Sequence, residues 1–181
     1  MSDWIRFWQR AGDLCVRRAD CELDGGNFDL ACRSYLTAAE HYWLALSAAT
    51  TVPPEGHALR DAHVSAFRSA LSLLPHPATV IELSVGAQTA SGYLFMPAGG
   101  VSVRPAVIWP VEPISTVESS YRHVALPVLE SHAACALFAA PSAKCFPSDP
   151  LVDAVVQWVR DQRGIDHIVA PRAQLCGSRR E

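Results

Sequence analysis

The hydrophobic period of this chain changes at Pro75-His76-Pro77, from helices alone to strands alternating with helices. Before it, apolar residues recur every three or four positions. Directly after it, they alternate or run together in short blocks. The first pattern belongs to amphipathic helices, the second to half-buried or fully buried strands. A helical N-terminal segment is therefore expected over residues 1–76, and an α/β domain over 77–181.

Three helices fit the first segment. Trp4, Trp8, Ala11 and Cys15 recur at helical spacing, and Gly25-Gly26-Asn27 interrupts them. Asn27 is placed to cap the next helix. That helix carries the clearest stripe in the chain: Phe28, Cys32, Tyr35, Ala39, Tyr42 and Leu46. Pro53-Pro54-Glu55-Gly56 is expected to end it. A third helix follows, with Leu59, His63, Ala66, Ala70 and Leu74 on one side.

Strands come next. Thr79 to Val85 alternates, with Ile81, Leu83 and Val85 on one face and Val80, Glu82 and Ser84 on the other. Gly86-Ala87-Gln88 punctuates, and Ser91 to Met96 reads as the second arm of a hairpin. Pro105 to Trp109 is a short, wholly apolar run, as in a buried parallel strand. Ser119 to Ser131 reads as helix, with Pro127 forcing a kink or a restart. Ala133 to Ala139 is another buried strand. Leu151 to Arg163 is an amphipathic helix with Gly164 as its cap, and a last strand lies within Ile168 to Cys176. Strands alternating with helices at these lengths give a mostly parallel sheet with helices on it.

Charge narrows the partners. Fifteen Lys+Arg face eighteen Asp+Glu, a net of −3. That leaves no positive field for nucleic acid or an anionic membrane. The most apolar stretch, His132 to Pro141, is too short to span a bilayer. The N-terminus meets Arg6, Arg10 and Asp13 before any apolar targeting core can form. A soluble, cytoplasmic protein is the expectation. The six cysteines contain no C-x-x-C pair and mostly sit in apolar surroundings, as packed thiols do.

The order of motifs resembles a known family. Tyr35-Leu36-x-Ala38-Ala39-x-x-Tyr42 comes first, then the helix Ala66 to Leu74, then Gly92-Tyr93-Leu94-Phe95-Met96-Pro97. Arg104-Pro105-Ala106-Val107-Ile108 and Ser115-Thr116-x-Glu118 follow. The set, from about residue 30 to 178, resembles α/β-hydrolase-fold serine hydrolases with an N-terminal helical segment, the group that includes 2,6-dihydroxypseudooxynicotine hydrolase and esterase-like relatives. The resemblance implies a helical segment followed by the first half of a hydrolase sheet. It also implies a serine on a Gly-x-Ser-x-Gly elbow, an oxyanion hole, and a later acid and histidine.

This chain departs from that pattern at each part. The elbow strand leads to Gly177-Ser178-Arg179-Arg180-Glu181. The residue two places after Gly177 is Arg179, and Ser178, the candidate nucleophile, stands one place early. The oxyanion loop reads Val111-Glu112-Pro113-Ile114, where Pro113 has no N–H to donate. Phe138-Ala139-Ala140-Pro141-Ser142-Ala143 keeps only the proline of the family's next turn. The expectation is a hydrolase-family chain, truncated at the elbow or degenerate and inactive by itself, whose relatives cleave ester, amide or carbon–carbon bonds of small molecules. The alternative is a non-catalytic binding or assembly protein using the helical segment and an open sheet edge, with a homodimer as one way to cover that edge.

Other groups carry side chains with chemistry of their own. His57, Asp61 and His63 have metal-ligand chemistry, but His63 lies far around the helix from His57, and a solvated helix start or a packed histidine suits them better. His41 beside Tyr42 and Trp43 fits the core or rim of the main stripe. Lys144 would favour a thiolate at Cys145 with His123 or His132 as a base, against an inert thiol as the plainer reading. Asp149 and Asp153 suit a helix start, and Trp158 a place against the sheet. No Gly-x-Gly-x-x-Gly or Walker loop occurs, so no nucleotide, metal or other cofactor is expected.

Overall fold

The computed structural model describes residues 2–49, 55–99, 104–111, 115–139, 150–162 and 164–169. Two compact units divide the chain, Met1–Pro75 and His76–Glu181.

The first unit holds α1 (Asp3–Asp24), α2 (Phe28–Ala48) and α3 (Glu55–Leu71). Helix α2 touches both others, so its buried face is wide. Cys32, Tyr35, Ala39, Tyr42 and Leu46 are buried as their spacing predicts, and Ala31, Ala38 and Ala45 widen the stripe where neighbouring helices approach. Phe28, at the head of the predicted stripe, is exposed instead. Asn27 stands at the cap position, but its side chain makes no capping bond.

In α1 the expected face is wrong by about one residue. Ile5, Gly12 and Ala19 are buried and Trp4 is exposed. The reason is close approach: Gly12 lies against the ring of Tyr42 on α2. Polar bonds lock the pair. The Tyr35 hydroxyl donates to Asp20 Oδ1 (2.5 Å) and the Tyr42 hydroxyl to Asp13 Oδ1 (2.7 Å). On the other side of α2, buried His63 donates from Nδ1 to the Ala39 carbonyl (2.8 Å). His57 and Asp61 are exposed on α3, so the three do not converge.

The second unit is a five-stranded sheet in the order β1-β2-β4-β3-β5. The hairpin is β1 (Ala78–Val85) and β2 (Gln88–Phe95), paired antiparallel. Strands β3 (Arg104–Val111), β4 (Ala134–Ala139) and β5 (Ile165–Val169) run parallel. Gly92 permits the β2–β4 contact, because a Cβ there would stand 2.0 Å from the Leu137 carbonyl oxygen. Pro105, in a strand with neighbours on both sides, sits at the irregularity where the β3–β5 register shifts.

Between β3 and β4 the chain makes one π-helical turn, Tyr121–Ala125, and then α4 (Leu126–Glu130). Pro127 at the start of α4 explains the restart. A proline ring clashes with the carbonyl four residues back, and the widened turn, closed by Leu126 N–H on the Tyr121 carbonyl, precedes it. Helix α5 (Pro150–Arg160) buries Leu151, Val152, Val155 and Val159 as its pattern predicts, and Trp158 packs against the same core. It ends before Gly164, which is not its cap. Gly164 instead takes φ +83° and its carbonyl accepts from the Arg104 N–H (2.9 Å) at the start of β5. Strand β5 begins three residues earlier than expected. Among the described residues, no helix is long and apolar enough to cross a membrane.

Candidate functional site

The connections place the candidate site. Strand β4 lies on one side of β3 and β5 on the other. Parallel crossovers are almost always right-handed, so one leading left and one leading right put their helices on opposite faces. Helix α5 covers the face formed by Ile81, Leu94, Ala106, Ile108, Ala136 and Phe138. The π-turn covers the other face, where the Tyr121 ring lies 5.0 Å from that of Phe95. The connection leaving β3 thus turns to one face and that leaving β4 to the other. In open α/β sheets a crevice forms at such a switch point, beyond the carboxyl ends of the strands. The carboxyl ends of β3 and β4 that flank this switch point are Val111 and Ala139, which are register partners.

The segment after β3 is fastened there by its own side chains. Thr116 caps a helical turn: its Oγ1 accepts from the Ser119 N–H (3.0 Å), while Ser119 Oγ accepts from the Thr116 N–H (3.2 Å). This reciprocal pair is a capping box with serine in the third position. Two residues on, Glu118 accepts from the hydroxyl of Tyr93 on β2 (3.2 Å). Tyr93 is buried, and its ring lies 5.8 Å from that of Phe95. A carboxylate of the segment that follows β3 is thereby tied to the sheet rather than to the turn that carries it. Ser115-Thr116-x-Glu118 was visible as a motif. The partner Tyr93 was not, because nothing in its apolar strand marks which hydroxyl will find a carboxylate.

The candidate nucleophile Ser178 lies outside the described residues, as do Arg179, the loop 112–114, Lys144, Cys145 and Asp149. His123 and His132 are exposed, the latter at φ 64° in the turn before β4. Asp153 is exposed in the first turn of α5. Cys135 is buried in β4, and burial pushes its thiol up to about 12, a packed group rather than a nucleophile. In the helical unit, Cys15 Sγ lies 3.7 Å from His41 Nδ1, and burial raises that thiol, with Arg18 opposing. His41 is half-buried, with its ring 5.2 Å from that of Trp8, a rim residue as its place in the stripe suggested. Among the described residues, no three His, Cys, Asp or Glu side chains gather as a metal site would require.

No protein-family model matches the chain. No curated protein matches it either. Among solved structures it is similar to the 2,6-dihydroxy-pseudo-oxynicotine hydrolase, with a TM-score of 0.75 and 20% identity over 93% of this chain and 50% of that one. It is also similar to wild-type AbyA5, with a TM-score of 0.58 and 17% identity over 92% of this chain and 45% of that one. The chain spans about half the length of these structures. Identities this low speak for the fold, an α/β architecture of the kind the motif order resembles.

Proposed function

We propose that this chain is a cytoplasmic, hydrolase-related protein. Its crevice between Val111 and Ala139 takes a small molecule of the ester, amide or cleavable carbon–carbon class, and the 181-residue chain does not turn it over by serine catalysis. The observation that carries the reading is the switch point at those two strand ends, on a fold shared with a hydrolase. The sequence supports the second half of the reading. A guanidinium has donors only and is no nucleophile, so Arg179 at the elbow place ends covalent catalysis there. Pro113 removes a backbone donor from the loop that would stabilise an oxyanion. Ser178 has the hydroxyl but stands one place early.

An activity-based fluorophosphonate probe tests this. Intact-mass analysis is expected to find the chain unlabelled after exposure that saturates an active serine hydrolase. Stoichiometric labelling mapped to Ser178 would reverse the conclusion.

A further inference from the structure

Helix α1 has a second apolar face that the fold does not use. Trp4 is 56% exposed and Phe7 and Leu14 are each 61% exposed. With Ala11 they step by three, four and three residues, so they share one stripe, about 120° around the helix from the face that Ile5, Gly12 and Ala19 bury. Three-four alternation is the seam pattern of paired helices, with large residues flanking a small one. The Trp4 and Phe7 rings are already edge-packed on Trp8, at 5.5 and 5.1 Å, which holds them as a fixed surface rather than as free side chains.

We propose that this stripe is the interface of a homodimer, in which α1 of one copy packs antiparallel on α1 of a second copy. Antiparallel pairing sets Trp4 opposite Leu14 and Phe7 opposite Ala11, twice over by symmetry. It also brings Asp3 of one copy to Arg17 and Arg18 of the other at both ends. Parallel pairing would instead place Arg18, next in the stripe, against its own copy. Asp3 bonds Arg6 and Arg18 bonds Glu22 within the chain, yet the Asp3 and Arg18 side chains are 96% and 70% exposed, with room for a second partner. The chemistry does not favour a lipid surface. Helix α1 carries four arginines against five carboxylates, so it has no net attraction for anionic headgroups. Side chains of this size expose about 400 Å² per copy at those fractions. With the charged rim, that reaches the low end of specific interfaces, about 1,200 Å² in total. The dimer is therefore reversible and concentration-dependent.

Sedimentation of the full chain over a concentration series reads the proposal. The weight-average mass is expected to climb from 19.6 kDa towards twice that value. Leu14→Glu, at an exposed site, is expected to hold the mass at the monomer with an unchanged circular dichroism spectrum. Asp3→Arg alone and Arg17→Asp/Arg18→Asp alone should each weaken the dimer, and mixing the two variants should restore it, because the mixed pair is complementary at both ends. A monomer at every concentration would overturn the proposal. So would self-association unaffected by Leu14→Glu, failure of the mixed variants to pair, or loss of the stripe's exposure only on anionic vesicles.

Discussion

Replacing Gly12 with alanine is expected to destabilise the helical unit, against the ordinary preference of helices. Alanine is favoured over glycine in a helix interior by about 1 kcal/mol. Here the added methyl would stand 2.7 Å from Tyr42 Cε1 and 2.9 Å from Cδ1 and Cζ. Carbon–carbon contacts are comfortable at about 3.5–4.0 Å, so the ring has to retreat by nearly 1 Å. It has little freedom to do so, being buried and held by its hydroxyl on Asp13. Overpacking of this kind costs about 1–3 kcal/mol, and releasing a hydrogen bond to a carboxylate adds about 1.5–3 kcal/mol if the ring swings out. Set against the gain in propensity, the net loss is about 0–2 kcal/mol if the bond to Asp13 holds and about 1.5–5 kcal/mol if the ring swings out. Urea unfolding followed at the α2 amides by hydrogen exchange measures it. A double-mutant cycle isolates the cause: in a Tyr42→Leu background the methyl has room, and Gly12→Ala should become neutral or stabilising. If Gly12→Ala stabilises the wild-type chain, or behaves alike in both backgrounds, the close-approach account is wrong.

Gly92→Ala should cost about 3 kcal/mol or more, because the new Cβ meets the β4 backbone at Leu137 and Phe138, which has no rotamer to yield; a melting temperature within a degree of wild type would refute this. Tyr35 gives a pH signature. Its hydrogen bond to Asp20, then burial, then the charges of Asp20 and Asp24, raise its phenol to about 12. The folded state thus holds the proton more tightly than an unfolded tyrosine near 10, and the contribution of Tyr35 to stability is level below pH 10 and falls as pH rises from about 10 to about 12. The loss from Tyr35 is about 1–3 kcal/mol, and Tyr35→Phe should make that part of the pH profile shallower, the remaining slope coming from Tyr42, whose phenol is also raised by burial and by the bond to Asp13; an unchanged slope would contradict the bond to Asp20.

How far the residues announced this structure depended on whether burial was carried by large apolar side chains. The α2 stripe, the hairpin, β4 and α5 were legible because Tyr42, Ile81, Phe138 and Val155 announce their faces. The buried face of α1 was not, since Gly12 and Ala19 line it and small residues carry no hydrophobic signal, while exposed Trp4 does. Strand β5 was placed late because Asp166 and His167 break its apolar run, and the sheet's irregularity at Pro105 sets where it begins. At the site, the switch point follows from strand order, which no local pattern encodes. The Glu118–Tyr93 bond joins residues 25 positions apart, a pairing that exists only once β2 and the post-β3 turn are brought together.

Steady-state hydrolysis of a small chromogenic ester, p-nitrophenyl acetate, by the 181-residue chain is the most direct test of the central claim. The expected rate equals that of buffer containing the same concentration of Ser178→Ala. Saturable hydrolysis by the wild-type chain that disappears in Ser178→Ala would contradict it, because it would mean that the hydroxyl reaches the crevice in spite of Arg179 and Pro113.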